Sequence, residues 1–331
     1  MTKQLDVFQI AETIVKRGIQ ERSGLNLRGN SEGPEVPADF SIFNRIIGRP
    51  LHPKTLIPSD ILDYQLDYNT LWRRYHKVIF NKSRKIGATE TALRTICQLC
   101  FGPYIGHNVM IVAGNRQRQA NKFLEKFNLL FYGPDQKRGW SIPNKDGTET
   151  KWSYDMLVKS YRSNHMELCN GVQIETFPAE PTAVRGPENV KCVFVSEAAH
   201  VNRIEDGELY TALRPLAAND PDVDFILEST PNGRRGFFYD QWQYNIPLQN
   251  TGKEEFKTLQ YNYQKAMDAG LLDAKFIAEE RRNPKIDFEQ EYNCKFTSTL
   301  SAAFEEEMVM RNYVPKPMNR WDDLLGTKAK P

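Results

Sequence analysis

The sequence predicts an α/β protein built on a parallel sheet, and three observations support this prediction. From about residue 60, short apolar runs alternate with segments of helical periodicity, which is typical of a parallel sheet covered by helices. Several apolar runs end in acidic or hydroxyl side chains, as strands do when their carboxyl ends form a binding crevice. After about residue 245 helical patterns replace the apolar runs, which predicts a small helical lid subdomain.

The individual elements follow from these patterns. Strands are predicted at 76–80, 108–113, 171–176, 190–195 and 223–228, and helices at 89–101, 116–130, 261–269, 273–282 and 288–292. Residues 133–153, rich in Gly, Pro, Lys and Asp, are predicted to form an insertion loop. The chain then divides into an N-terminal helix and arm that is part of the lid (1–59), a core (60–245), a lid and linker (246–305) and a tail (306–331).

The composition is that of an ordinary globular protein. Of 331 residues, 40% are hydrophobic and 26% charged, and the net charge is only +2, so any DNA-binding face must be local. Neither a signal peptide nor an apolar run long enough to span a membrane is found. The odd, scattered set of five cysteines predicts reduced thiols in a cytoplasmic setting. Cys97 and Cys100 form a lone C-x-x-C pair in an apolar helix and are expected to pack in the core.

A candidate phosphate loop, Lys-Ser-Arg-Lys-Ile-Gly-Ala-Thr at 82–89, joins the first strand to a helix. Against the pattern G-x-x-x-x-G-K-[ST], Gly87 and Thr89 are kept, but Ala88 stands at the position of the lysine. The cation would come from the other limb of the loop, from Lys82 with Arg84 and Lys85 behind it, because charge near the phosphate oxygens matters more than sequence position. A basic strand-to-helix turn that binds no nucleotide is the alternative.

Two later strands end in further candidate residues. Glu197 follows an apolar strand, where a nucleotide hydrolase places the carboxylate that orients or deprotonates the attacking water. Ser196 stands where such enzymes usually carry an aspartate for Mg²⁺, and it brings no charge. Ser229 and Thr230, followed by Pro-Asn-Gly, predict a tight turn that fixes two hydroxyls. His200 is expected to be a structural histidine.

The ordered set of motifs resembles the large terminase subunit of tailed viruses, the ATP-driven motor that packages DNA into a procapsid. Residues 82–89 resemble its phosphate loop with a displaced lysine, 194–200 its Walker B segment and 229–233 its coupling motif. Further matches in the same order are Gln65, 114–120, Arg185-Gly186, and Glu291-Tyr292 and Phe296 with Phe304 at the seam to the nuclease. The resemblance spans about residues 60–305 and implies a P-loop NTPase fold, a RecA- or helicase-like parallel sheet with a small helical lid.

The resemblance also implies roles for single residues. ATP would be bound by Gln65, Lys82, Ser83, Arg84, Lys85, Ile86, Gly87, Ala88 and Thr89. Glu197 would activate water and Arg185 would sense or polarise the γ-phosphate. Thr89 would bind Mg²⁺ directly and Ser196 through water, while Ser229 and Thr230 would relay hydrolysis to the lid.

The same resemblance implies ATP and Mg²⁺ as cofactors and a set of partners. These are double-stranded DNA, the portal protein, the small terminase subunit and further copies of the chain in a ring on the portal, all in the host cytoplasm. DNA contact would be electrostatic and independent of base sequence. The main candidates are Arg116, Arg118 and Lys122, with further ones at Lys126, Lys137, Arg138, Lys145 and Lys151.

The functional alternatives differ in what they do with ATP. Only a short segment follows the seam, and Glu305-Glu306-Glu307 is expected to be a solvated helix start, so nuclease activity is not expected. A nucleotide-binding scaffold with weak or no hydrolysis is favoured by Ala88 and Ser196. A helicase-like translocase outside packaging is disfavoured, because no second α/β domain follows.

Overall fold

The computed structural model describes residues 33–134, 138–144, 146–201, 206–217 and 220–297. Several predictions concern residues outside these ranges. They are the N-terminal helix at 1–20, Lys137, Lys145, Phe304, the acidic run at 305–307 and the tail.

The strands lie at β1 (Lys77–Lys82), β2 (Asn108–Ala113), β3 (Gly139–Pro143), β4 (Glu149–Ser153), β5 (Val158–Tyr161), β6 (His165–Leu168), β7 (Gln173–Phe177), β8 (Val190–Ser196), β9 (Asp224–Ser229) and β10 (Lys257–Tyr261). Within the described ranges, eight of them form one sheet in the order β10–β1–β9–β8–β2–β7–β6–β5. The strands from β10 to β7 pair in parallel, and β6 and β5 are added antiparallel. Strands β3 and β4 form a separate hairpin. The predicted α/β architecture with a mainly parallel sheet is confirmed.

Helices cover both faces of this sheet. They are α1 (Phe40–Ile46), α2 (Asp63–Tyr75), α3 (Ala88–Cys100), α4 (Gln117–Leu129), α5 (Tyr154–Leu157), α6 (Asp206–Leu213), α7 (Gly236–Asn245), α8 (Tyr263–Asp268), α9 (Ala274–Arg282) and α10 (Phe288–Glu291). Alternate residues of the central strands point to opposite faces, so Phe80 and Phe194 join the core beneath α2, α3 and α4, while Ile79 and Val195 join the core beneath α6 and α7. In the part of the chain described, no helix is both long and apolar enough to cross a membrane.

The five predicted strands correspond to β1, β2, β7, β8 and β9. The centres of β1, β2, β8 and β9 are buried on both faces, which is why they form apolar runs in the sequence, whereas β7 alternates between buried and half-buried residues. The predicted helices at 89–101 and 116–130 are α3 and α4. Cys97 and Cys100 are fully buried on α3, in the core, as predicted.

Other strands were not predicted. The segment 133–153 was expected to be an insertion loop, but it contains the hairpin β3–β4. Strands β5 and β6 also escaped prediction, and so did β10, which lies in the region assigned to a helical lid but pairs with β1. These strands are short or partly exposed at the edge of the sheet, so they carry no continuous apolar run. The domain boundaries themselves remain predictions.

A buried polar cluster fixes the amino-terminal ends of β1 and β9. The His76 Nδ1 lies 2.7 Å from Asp224 Oδ1, and the Tyr104 hydroxyl bonds the other oxygen of the same carboxylate. The hydrogen bond to Asp224 raises the pKa of His76 above its usual value. By holding the two strands in register at this end, the cluster helps to align their carboxyl ends.

Candidate active site

The carboxyl ends of β1, β9 and β8 lie side by side at one edge of the sheet. Phe80 of β1 pairs with Glu228 of β9, and Glu228 pairs with Ser196 of β8. The strands are parallel, so the segments that follow them leave the sheet at the same edge. The phosphate loop, the Walker B segment and the coupling motif are therefore neighbours.

The phosphate loop has the backbone of a tight strand-to-helix turn. Lys85 and Gly87 adopt positive φ angles of 62° and 74°. The positive φ of Gly87 favours glycine, and a Cβ atom there would also lie only 2.6 Å from Gln65 Nε2, so the glutamine side chain would have to shift. No side chain caps α3, which leaves the N–H groups of its first turn free to bind an anion.

Apolar and backbone contacts hold this loop in place. Ala88, at the position of the usual lysine, is buried in the core together with Ile86. The carbonyl of Ile86 accepts hydrogen bonds from the Tyr64 hydroxyl at 2.8 Å and from Gln65 Nε2 at 3.3 Å. Ser83 is buried as well, and its hydroxyl donates to the carbonyl of Arg84.

Gln65 is anchored at both ends of its amide. Besides donating to Ile86, its Oε1 accepts a hydrogen bond from the Leu62 N–H at 3.0 Å. The side chain is buried against the loop in this geometry. Contact between Gln65 and adenine stays a prediction.

Lys82 and Glu197 form an ion pair across the site. The Lys82 Nζ lies 3.0 Å from Glu197 Oε1, and only 8% of the lysine side chain is exposed. Burial alone would lower the pKa of Lys82, but the carboxylates of Glu197 and Glu228 outweigh it and raise this pKa above its usual value. Burial likewise opposes ionisation of Glu197, but Lys82 outweighs it and lowers the Glu197 pKa. Both side chains are thus charged near neutral pH.

Glu197 occupies a strained backbone position. Its φ of 55° lies in the left-handed region, which residues other than glycine adopt rarely and mostly where the surroundings enforce it. With this backbone angle at Glu197, the chain leaves β8 and enters a short helical turn at Ala198–His200. The carboxylate remains 43% exposed, so a water molecule can reach it.

Arg84 and Lys85 lie on the exposed limb of the loop and differ in their contacts. The Arg84 Nε donates to Glu291 Oε2 at 2.7 Å and its Nη2 donates to Oε1 at 3.3 Å. The Arg84 N–H also donates to the Glu291 carbonyl. Its guanidinium, predicted to bind phosphate, is thus paired with α10, while Lys85 forms no ion pair with any described residue.

Thr89 contacts a carboxylate that was not among the predicted site residues. Its hydroxyl donates to Glu228 Oε1 at 2.8 Å, and the Tyr68 hydroxyl donates to Oε2 at 3.3 Å. Glu228 is fully buried, and burial raises its pKa to about 7 despite the opposing effect of Lys82. The signal that could have found it is an acidic residue inside the apolar run of β9.

The buried hydroxyl of Ser196 has a hydrogen-bonding capacity that the described part of the protein does not use. It is 2% exposed, and its Oγ has no hydrogen-bond partner among the described residues. Such buried polar atoms are rare and often mark the position of a water or ion. The hydroxyl oxygens of Ser196 and Thr89 suit Mg²⁺. This ion takes oxygen ligands and binds through few protein groups together with substrate phosphates. No group of three His, Cys, Asp or Glu side chains forms a metal cage within the described ranges.

The coupling motif is bonded to the turn that follows Glu197. The Ser229 hydroxyl accepts from the Ala199 N–H at 3.1 Å, and Thr230 Oγ1 lies 2.8 Å from His200 Nε2. The Asn232 side chain donates to the Ala199 carbonyl. His200 is therefore held as a structural histidine would be, and three hydrogen bonds link the segments that follow β8 and β9.

The remaining predicted residues lie on the surface. Arg185 is exposed between β7 and β8, and it forms no hydrogen bond or ion pair with a described residue. Arg116, Arg118 and Lys122 are exposed at the start of α4. The roles of these side chains stay predictions.

The mainly parallel sheet, the glycine-containing loop before α3 and the acidic end of β8 define the class of P-loop NTPases. Residues 79–311 match the family model described as terminase large subunit, T4likevirus-type, N-terminal. The chain therefore belongs to the large terminase family, the ATPases of viral packaging motors.

Solved structures of phage terminases are also similar. The large terminase ATPase domain of Thermus phage P74-26 has 16% sequence identity and a TM-score of 0.45, with 72% of this chain and 94% of that chain covered. The large terminase of the thermophilic bacteriophage D6E, in complex with ADP, has 11% identity and a TM-score of 0.51. This match covers 72% of this chain but only 54% of that one, and it supports the fold. No curated protein sequence matches the chain.

Proposed function

We propose that this chain binds ATP with Mg²⁺ at the edge formed by β1, β9 and β8, hydrolyses it, and uses the energy to move double-stranded DNA into a procapsid. The observation that supports this most strongly is the pairing of a buried lysine with an ionised glutamate beside a phosphate loop. Membership of the terminase family and the ADP bound by the D6E relative agree with it.

In this proposal Lys82 and the N–H groups of Gly87–Thr89 hold the triphosphate. Lys82 would exchange its partner, Glu197, for phosphate oxygens, which releases the carboxylate to accept a proton from the attacking water. Thr89 and Ser196 would hold Mg²⁺, which offsets negative charge on the β- and γ-phosphates when bound. Arg84, Lys85 and Arg185 would add positive charge nearby.

Hydrolysis would reach the rest of the molecule through Ser229 and Thr230. The bonds from Ser229 to Ala199 and from Thr230 to His200 join them to the turn after Glu197, and this supports a relay role. Exposed Arg116, Arg118 and Lys122 would contact the DNA backbone by charge. We further propose the portal, the small terminase subunit and other copies of the chain as partners, in the host cytoplasm.

The proposal predicts ATP hydrolysis that increases when double-stranded DNA and portal protein are added. The measurement is the steady-state rate of phosphate release by the full chain, with each component alone and with both. Nucleotide binding without hydrolysis under every condition would contradict the motor and favour the scaffold alternative. Stimulation by single-stranded DNA alone would instead favour a helicase-like translocase.

A further inference from the structure

Ser196 deprives the proposed Mg²⁺ site of the carboxylate that its position usually supplies. Its hydroxyl is buried and, among described residues, has no hydrogen-bond partner. On the adjacent strand, directly opposite in register, stands Glu228. Neighbouring strands are only about 4.8 Å apart, so a carboxylate on β9 can reach the space beside Ser196.

Thr89 connects this carboxylate to the phosphate loop. The Thr89 hydroxyl donates a hydrogen bond to Glu228 Oε1 at 2.8 Å. The lone pairs of the hydroxyl oxygen therefore remain free to bind a cation. The second carboxylate oxygen accepts from Tyr68, so the group is fixed from both sides. Glu228 is fully buried, and burying a carboxylate costs free energy unless a cation or hydrogen bonds compensate for it.

We propose that Glu228 supplies the negative charge of the Mg²⁺ site in place of the aspartate that Ser196 lacks, and that it positions the Thr89 hydroxyl toward the metal. In this chain the carboxylate would thus stand on β9, opposite the position on β8 where an aspartate is usual. This inference rests on the proposed nucleotide binding and goes beyond it, since it assigns a positioning residue and accounts for Ser196.

The Lys82 ammonium interacts with two carboxylates of the site. Both Glu197 and Glu228 attract the Lys82 ammonium, which is buried between them and the core. When the lysine turns to the phosphates, Glu228 loses this partner, and a divalent cation beside Thr89 would take its place. A bound divalent cation would then have a carboxylate next to one of its hydroxyl ligands.

The test compares how Mg²⁺ changes the affinity for a fluorescent N-methylanthraniloyl ADP, with and without EDTA. In the unmodified protein Mg²⁺ should tighten binding. Glu228→Gln keeps the shape of the side chain and one acceptor oxygen, and its NH2 group can donate to the second hydroxyl, so Mg²⁺-free binding should persist while the Mg²⁺ effect falls by about 10-fold or more. Glu175→Gln, a carboxylate on strand β7 of the same sheet and outside the proposed site, is the matched control and should keep the full effect.

A double variant that places the carboxylate on β8 tests the inference further. Ser196→Asp combined with Glu228→Gln returns the carboxylate to β8 and should restore most of the Mg²⁺ effect. A full Mg²⁺ effect in Glu228→Gln alone, or no recovery in the double variant, would overturn the inference. A purely structural role in holding Tyr68 would lower stability but leave the Mg²⁺ effect unchanged, and this result would overturn it too.

A third variant covers the case in which Glu228→Gln does not fold. Ser196→Asp alone adds a carboxylate where, on this account, one is already supplied, so Mg²⁺ binding should not tighten. Tightening of about 10-fold or more would mean that the site lacked a carboxylate, which would overturn the inference. If the unmodified protein bound no nucleotide at all, the proposed function would fail first, and the two failures are thus distinguishable.

Discussion

Lys82 reaches the site from the end of strand β1 rather than from the start of helix α3. Ala88, at the conventional position, is buried in the core and offers no charge. The ammonium of Lys82 is held at 3.0 Å from Glu197, so the cation stands beside the carboxylate that would activate water. At the scale of single residues, this position supports the prediction of a displaced lysine.

Replacing this lysine should disable the site. Lys82→Ala removes the buried ammonium that lies 3.0 Å from Glu197, so ATP hydrolysis should fall by about 100-fold or more. The pKa of Glu197 should also rise, because Lys82 is the strongest of the groups that lower it. The measurements are steady-state hydrolysis and nucleotide affinity, with Lys77→Ala at the opposite end of β1 as control. Unchanged hydrolysis in Lys82→Ala would move the role to Arg84 or Lys85.

Helix α10 ties the phosphate loop to the coupling motif. Glu291 binds Arg84, and Gln290 Oε1 accepts a hydrogen bond from the Gly233 N–H at 2.7 Å. A cleft of about 600 Å³ lies between Arg84 and residues 284–291. At the scale of elements, a four-residue helix thus contacts the segments that follow both β1 and β9.

The Arg84–Glu291 pair gives a prediction at this scale. Arg84→Ala and Glu291→Gln break the same ion pair, so they should have similar effects. We expect a stability loss of about 0.2–1 kcal/mol, because about half of the Arg84 side chain is exposed, together with a modest loss of hydrolysis. Thermal unfolding and nucleotide affinity measure this. If Arg84→Ala abolished nucleotide binding while Glu291→Gln preserved it, Arg84 would bind phosphate directly.

Which elements could be predicted depended on burial. Strands β1, β2, β8 and β9 are buried on both faces and appear in the sequence as apolar runs. Strand β10 lies at the edge with half-exposed residues, so its alternation was too weak to separate it from a helical lid. The hairpin β3–β4 is mostly exposed and was read as a loop for the same reason.

At the scale of the whole molecule, the order of motifs was predictable but their pairing was not. A parallel sheet collects its strand ends at one edge, which is why three separate motifs indicated a single site. The contacts of Lys82 with Glu197 and of Thr89 with Glu228 depend on strand order and register, which sequence spacing does not contain. The sequence marks Glu228 only as an acidic residue inside an apolar strand, and this signal belongs to no known motif.

The central claim is that these strand ends form one working ATPase site, and Glu197→Gln tests it most directly. The amide keeps the size of the side chain and an acceptor for Lys82, but it cannot take a proton from water. ATP binding should persist, while hydrolysis with DNA present should fall by about 100- to 10,000-fold. Hydrolysis equal to that of the unmodified protein would contradict the account.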